Sequence, residues 1–204
     1  KLGFQAHYPQ LETKLAARGE NEADLAALLA PAEAEVRKRL GNFIIAEDDQ
    51  TLEGVILATL LERGLTLSTA EMFTGGHLAA RLAPLAGAEH AFRRGVVARD
   101  PGELAVTEVS TVAAEAVASD LRKTSRSSHA MSLLIELDQG ADRPDFGGTI
   151  AIGIADGDTV VSRQARLIGG REWVRAGAVE LGLDCLRRHL LGLPVDERID
   201  FERR

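Results

Sequence analysis

The chain has 204 residues, 45% of them apolar and 27% charged, which suits one folded domain with room for a small appendage. That mix excludes a mostly disordered chain, no apolar run is long enough for a membrane helix, and one cysteine cannot form an internal disulfide or a zinc cluster. A net charge of −7 and only 4% aromatic residues leave no basic stripe and no stacking platform, which argues against direct nucleic-acid contact. Arginine dominates the basic residues; this suits phosphate recognition, but a biased alanine- and leucine-rich composition explains it more simply. No basic-then-apolar leader is visible, so the expected setting is the cytoplasm, with no membrane contact.

In chain order, residues 4–17 read as a strand or an amphipathic segment, broken at Arg18-Gly19. Residues 22–39 carry a helical period through Leu25, Leu28, Leu29 and Val36, with Asn21 as N-cap and Gly41 as stop. Residues 42–46 read as a short strand, and Glu47-Asp48-Asp49 as a solvated break. A helix over 52–63 precedes a strand over 65–70 and a helix over 75–85. A strand over 95–98, a Pro-Gly turn at 101–102, a helix over 112–123 and a buried strand over 131–137 come next. Residues 138–148 read as loop, and 149–155 and 158–167 as strands joined by a hairpin at Asp156-Gly157. A helix over 171–191 and a charged tail from 194 close the chain. Alternating strands and helices predict an α/β fold, and the hairpin makes its sheet mixed.

The stretch Ala70-Glu71-Met72-Phe73-Thr74-Gly75-Gly76 lies where a strand turns into a helix. Glycines there let backbone amides approach a ligand, and a helix N-terminus offers N–H groups to an anion. A tight structural turn explains the same residues equally well. Thr74 reads as a helix cap in that setting.

From Leu65 to Gly95 the sequence resembles the CinA C-terminal domain family, the nicotinamide mononucleotide deamidases. That family's turn reads Ala-Glu-Ser-Cys-Thr-Gly-Gly. Further matches are Ala86-Gly87-Ala88, Phe92-Arg93-Arg94-Gly95, Val109-Ser110, Gly148-Thr149 and Gly169-Gly170-Arg171. The resemblance implies a three-layer α/β/α sandwich around a mixed sheet over residues 48–193. Residues 1–47 are similar to part of the small middle domain of CinA, a small α/β appendage, and 194–204 form the tail. It also implies ligand contacts at Glu71, Thr74, Gly75, Gly76, Arg94 and Gly95. A nicotinamide mononucleotide-like nucleotide, a homodimer and a protein partner in competence or DNA-damage response are the partners it suggests. No cofactor and no metal are expected.

Family members hydrolyse the nicotinamide carboxamide and release ammonia, using a serine in the turn assisted by a tyrosine and a lysine. Those positions are Met72, Arg99 and Leu104 here. A thioether has no proton to give up, and arginine stays protonated, so neither replaces its counterpart. The neighbours Asp100 and Glu103 could act as bases, but no nucleophile stands at the turn. The loop that reads Ser/Thr-Gly-Ile-Ala-Gly-Pro in the family reads Glu136-Leu137-Asp138-Gln139-Gly140-Ala141 here, and its carboxylates would repel a phosphate. The expectation is a domain without amidase activity, kept as a structural, nucleotide-binding or protein-interaction module; the alternative is an active amidase with a rearranged site. His77, His90 and Asp100 could form a metal or acid–base cluster, though their spacing does not require one. Cys185, Trp173 and Phe146 read as packing, and Asp138, Asp142 and Asp145 as a solvated loop.

Overall fold

The computed structural model describes residues 1–138, 147–157 and 159–197. Asp142, Asp145, Phe146 and the last residues of the tail lie outside them. The chain forms two compact units, Lys1–Asp49 and Gln50–Arg204.

In the first unit, β1 (Leu2–His7) pairs antiparallel with β2 (Gln10–Leu15), turning at Tyr8-Pro9. The segment read as one strand or amphipathic stretch is thus a hairpin. Helix α1 (Glu22–Leu40) starts at Asn21, whose side chain accepts the Asp24 N–H at 2.9 Å. It ends at Gly41, with φ of 52°, where a side chain would be strained. None of its residues is buried within this structure. The strand expected over 42–46 does not form: Gly41–Phe43 is a 3-10 turn, and the only described ladder in this unit is β1–β2. A short extended run without a partner gains no ladder hydrogen bonds.

The second unit is built on five strands in the order β4-β3-β5-β6-β7. Helix α2 (Leu52–Glu62) is capped by Thr51, which accepts the Gly54 N–H at 3.1 Å. Strand β3 (Leu67–Met72) is buried along its whole length and central to the parallel part of the sheet. Helices α3 (His77–Leu82) and α4 (Ala88–Ala91) lead to β4 (Phe92–Ala98), which pairs parallel with β3. Helix α5 (Thr111–Ser125) then crosses to β5 (His129–Leu137), parallel to β3 on its other side. Strands β6 (Gly147–Ala155) and β7 (Val160–Ile168) add an antiparallel hairpin through Asp156, whose N–H meets Thr159 O at 3.0 Å. Helix α6 (Arg171–Leu190) closes the fold.

The helices take both faces of the sheet. Ser132 of β5 donates to Ala114 O at 2.6 Å, and Gly153 of β6 lies against the same carbonyl, so α5 packs on one face. A Cβ at Gly182 of α6 would meet Met131 and Leu133, the alternate residues of β5, so α6 packs on the other. Arg81 of α3 reaches Glu53 of α2 and Glu180 of α6, tying three helices on the α6 face. The α/β architecture with a mixed sheet is the one expected. Two details are corrected. Gly147 and Gly148 belong to β6 and not to the preceding loop. Trp173, expected in the core, is 53% exposed on the first turn of α6.

Candidate functional site

Because β4 and β5 flank β3 and their connections run over opposite faces, the carboxyl ends of β3 and β5 form a switch point in the sheet. Such points leave a crevice where ligands bind in open α/β folds. A cleft of about 690 Å³ lies there. Buried Met72, Val106 and Ile135 make its apolar floor, and exposed Arg99, Glu108, Glu136 and Arg171 stand around it.

Alternate residues of β3 face opposite ways. Met72, with Ala70, joins the core under α5 that includes Val106, Ala114 and Leu134. Glu71 faces α3. Its buried carboxylate accepts the Leu78 N–H at 2.8 Å and the Ala79 N–H at 2.9 Å, and the Thr74 hydroxyl in a short hydrogen bond. These are the first-turn amides that a capping side chain normally takes. The expectation that they are open to an external anion is therefore corrected: Glu71 already fills the helix end. Thr74 does not cap the helix either. Its hydroxyl donates to the carboxylate, and the N-cap position falls on Gly76, which has no side chain.

Between Glu71 and the helix the chain turns through Phe73 (φ 76°), Gly75 and Gly76. A bulky residue in that left-handed region costs about 1–2 kcal/mol. The turn aims the Phe73 side chain at the cleft, where the Arg171 guanidinium lies over its ring at 5.2 Å.

Arg171 opens α6 just after the Gly169-Gly170 turn, and Arg99 follows β4 directly. Among the described residues, neither forms an ion pair with a carboxylate. Asp138, expected to repel a phosphate, is corrected: Arg166 holds it through a two-pronged contact, with Nη1 to Oδ1 at 2.9 Å. Of the substituted triad, Met72 and Arg99 line the cleft, whereas Leu104 packs at the edge of the core under α5. Thr107 carries the one hydroxyl among the described lining residues, and no described side chain is hydrogen-bonded to it.

The six residues proposed from sequence as ligand contacts do not line this cleft. Glu71, Thr74, Gly75 and Gly76 form the turn behind it. Arg94 and Gly95 lie on edge strand β4, where a Cβ at Gly95 would come 2.9 Å from the Ala79 Cβ. His77, His90 and Asp100 form no metal-ligating group among the described residues. Asp100 instead accepts the Gly102 N–H at 2.7 Å to cap a 3-10 turn. Cys185 is buried as expected, and burial pushes its thiol up to about 12, which removes it as a nucleophile. Arg171 was missed as a site residue, although the Gly-Gly-Arg sequence before the last helix marked it.

The profile of the CinA C-terminal domain matches residues 49–100. The chain is 35% identical over 97% of its length to a CinA-like protein of Frankia casuarinae, and covers 48% of that protein. It is 30% identical over 98% of its length to a CinA-like protein of Geotalea uraniireducens, and covers 50% of it. The chain thus spans about half the length of the curated relatives it matches. In fold it is similar to a competence or damage-inducible protein from Enterobacter asburiae, with TM-score 0.60 and 22% identity over 70% of this chain and 99% of that one. The competence/damage inducible protein CihA from Agrobacterium tumefaciens gives TM-score 0.57 and 22% identity, over 72% and 99%. Sequence motifs, family profile, relatives and fold agree, and the chain belongs to the CinA family, carrying its C-terminal domain.

Proposed function

We propose that this domain binds an amphipathic anion of mononucleotide type in the cleft and does not hydrolyse an amide there. The observation that carries the reading is Met72, 5% exposed, at the end of β3 where the family places its serine. A hydroxyl nucleophile needs a neighbouring base to take its proton. The two assisting positions are changed: Arg99 cannot accept a proton, and Leu104 packs at the edge of the core. Binding is supported by the pairing of an apolar floor with two guanidinium groups, Arg99 and Arg171, and with the Phe73 ring between floor and rim. That combination suits a ring joined to a phosphate.

The test is ammonia release from nicotinamide mononucleotide, beside a family member with the serine, tyrosine and lysine, together with calorimetric titration of the same compound. Binding without ammonia above buffer is the expected result. Turnover near that of the control overturns the loss of catalysis. If turnover then vanishes in Thr107→Ala, the cleft hydroxyl is the nucleophile.

A further inference from the structure

A second cluster of functional side chains lies at the other end of the sheet. His129 opens β5, Asp156 follows β6, and His189 lies in the last turn of α6. From His129 to Leu137 the strand runs nine residues, roughly 25 Å, so the cluster is separate from the cleft. The ligating atoms of the three side chains all lie within 4.8 Å of one another. His189 Nε2 is 2.9 Å from Asp156 Oδ2, and the two imidazoles meet edge to face with centroids 5.9 Å apart.

Two of the three side chains have an outer partner that orients them. Asp156 Oδ1 accepts the Thr159 N–H at 3.1 Å and the Thr159 hydroxyl at 2.7 Å, which leaves Oδ2 for the cluster. Ser128 Oγ lies 2.9 Å from His129 Nδ1, while its own proton points to Thr66 O at 2.9 Å. His129 Nδ1 therefore carries the hydrogen, and Nε2 keeps a lone pair. Outer hydrogen bonds of this kind fix tautomer and orientation at metal sites.

We propose that His129, Asp156 and His189 bind a divalent transition metal ion of the zinc class. Two imidazoles and one carboxylate are donors that zinc accepts, and three protein ligands leave a fourth position for water. In a tetrahedral zinc site the ligand atoms stand about 3.4 Å apart, given bonds near 2.0–2.1 Å. The cluster draws in to reach that spacing, and the metal replaces the hydrogen shared by His189 and Asp156. The charge of Arg122, which hydrogen-bonds Gly157 O at 3.1 Å, also acts on His129 and opposes a bound cation. The plain competing role is a hydrogen-bonded pin between the end of α6 and the β6–β7 turn.

The test is a Zn²⁺ titration of the chelator-stripped chain against a chromophoric chelator, with Co²⁺ absorption as a second readout. One ion per chain and the strong visible bands of low-coordinate Co²⁺ are expected. His129→Asn and His189→Asn should abolish both signals. Ser128→Ala should weaken Zn²⁺ binding by about 10–100-fold. Arg122→Gln should tighten it, which a pin does not predict. Should a histidine variant fail to fold by circular dichroism, Ser128→Ala and Arg122→Gln still decide, since both leave the His189–Asp156 contact in place. Absence of stoichiometric Zn²⁺ binding overturns the proposal. So does binding unchanged in His129→Asn, which would place the ion at another of the five histidines.

Discussion

Glu71 and Met72 are neighbours on one strand, yet they serve different parts of the molecule. Glu71 faces α3, where its carboxylate holds two backbone amides and the Thr74 hydroxyl. Met72 faces the other way, into the core below the cleft. The half of the turn that matches the family pattern, Glu71 with Thr74-Gly75-Gly76, is bonded into the architecture. The half that departs from it, Met72 and Phe73, meets the cleft. The turn thus divides by role: its matching residues hold the architecture, and its departing residues meet the cleft.

The largest effect should come from the architectural half. Glu71→Ala leaves the Leu78 and Ala79 amides and the Thr74 hydroxyl buried without their acceptor. A loss of about 3 kcal/mol or more is expected in urea unfolding, since each stranded group costs about 1–3 kcal/mol. A loss below 1 kcal/mol, on the order of a single neutral hydrogen bond, would break the division between the two halves. On the cleft side, Met72→Ser removes a buried side chain and should cost about 2–4 kcal/mol, the range for large-to-small core changes. It should release no ammonia from nicotinamide mononucleotide, because the residues that would assist the new hydroxyl in the family are Arg99 and Leu104 here. Ammonia release by this variant would show that the serine alone separates the chain from an active amidase.

Gly95→Ala sharpens the same division on strand β4. The new Cβ meets Ala79 of α3 at 2.9 Å, so an overpacking cost of about 1–3 kcal/mol is expected in thermal unfolding. Affinity for the cleft ligand should be unchanged in the folded fraction. If binding falls while stability holds, Gly95 contacts the ligand, as the family pattern suggested.

Much of the second unit was legible because its signals are local. MSLLIEL is an unbroken apolar run, and Asp156-Gly157 marks a hairpin turn in place. Ser110 sits where α5 needs a cap and accepts the Ala113 N–H at 3.2 Å. The β1–β2 hairpin was harder to read, since it turns at Tyr8-Pro9 without the glycine or asparagine that usually marks such turns. The role of Glu71 could not be read at all: two of its partners are backbone amides, which carry no side-chain signature. The cleft and the histidine cluster share that difficulty. Arg99 and Arg171 share one cleft, and His129, Asp156 and His189 one cluster, only because the fold brings distant strand ends to the two ends of α6.

The smallest effect on stability, and the most informative one for the cleft, belongs to Arg171→Ala. The residue is exposed, and its contact with the Phe73 ring is worth under about 1 kcal/mol at such a site. Melting should hardly change. Calorimetry with nicotinamide mononucleotide should show a loss of about tenfold in affinity, equivalent to about 1.4 kcal/mol, when one guanidinium–phosphate contact is removed. Arg171→Lys should recover only part of it, because an ammonium keeps the charge but not the planar two-pronged contact. Full recovery with lysine would mean that Arg171 acts through charge alone. Wild-type affinity in Arg171→Ala would mean that the ligand's anionic group is held elsewhere, and the turn behind the cleft would be the next place to look.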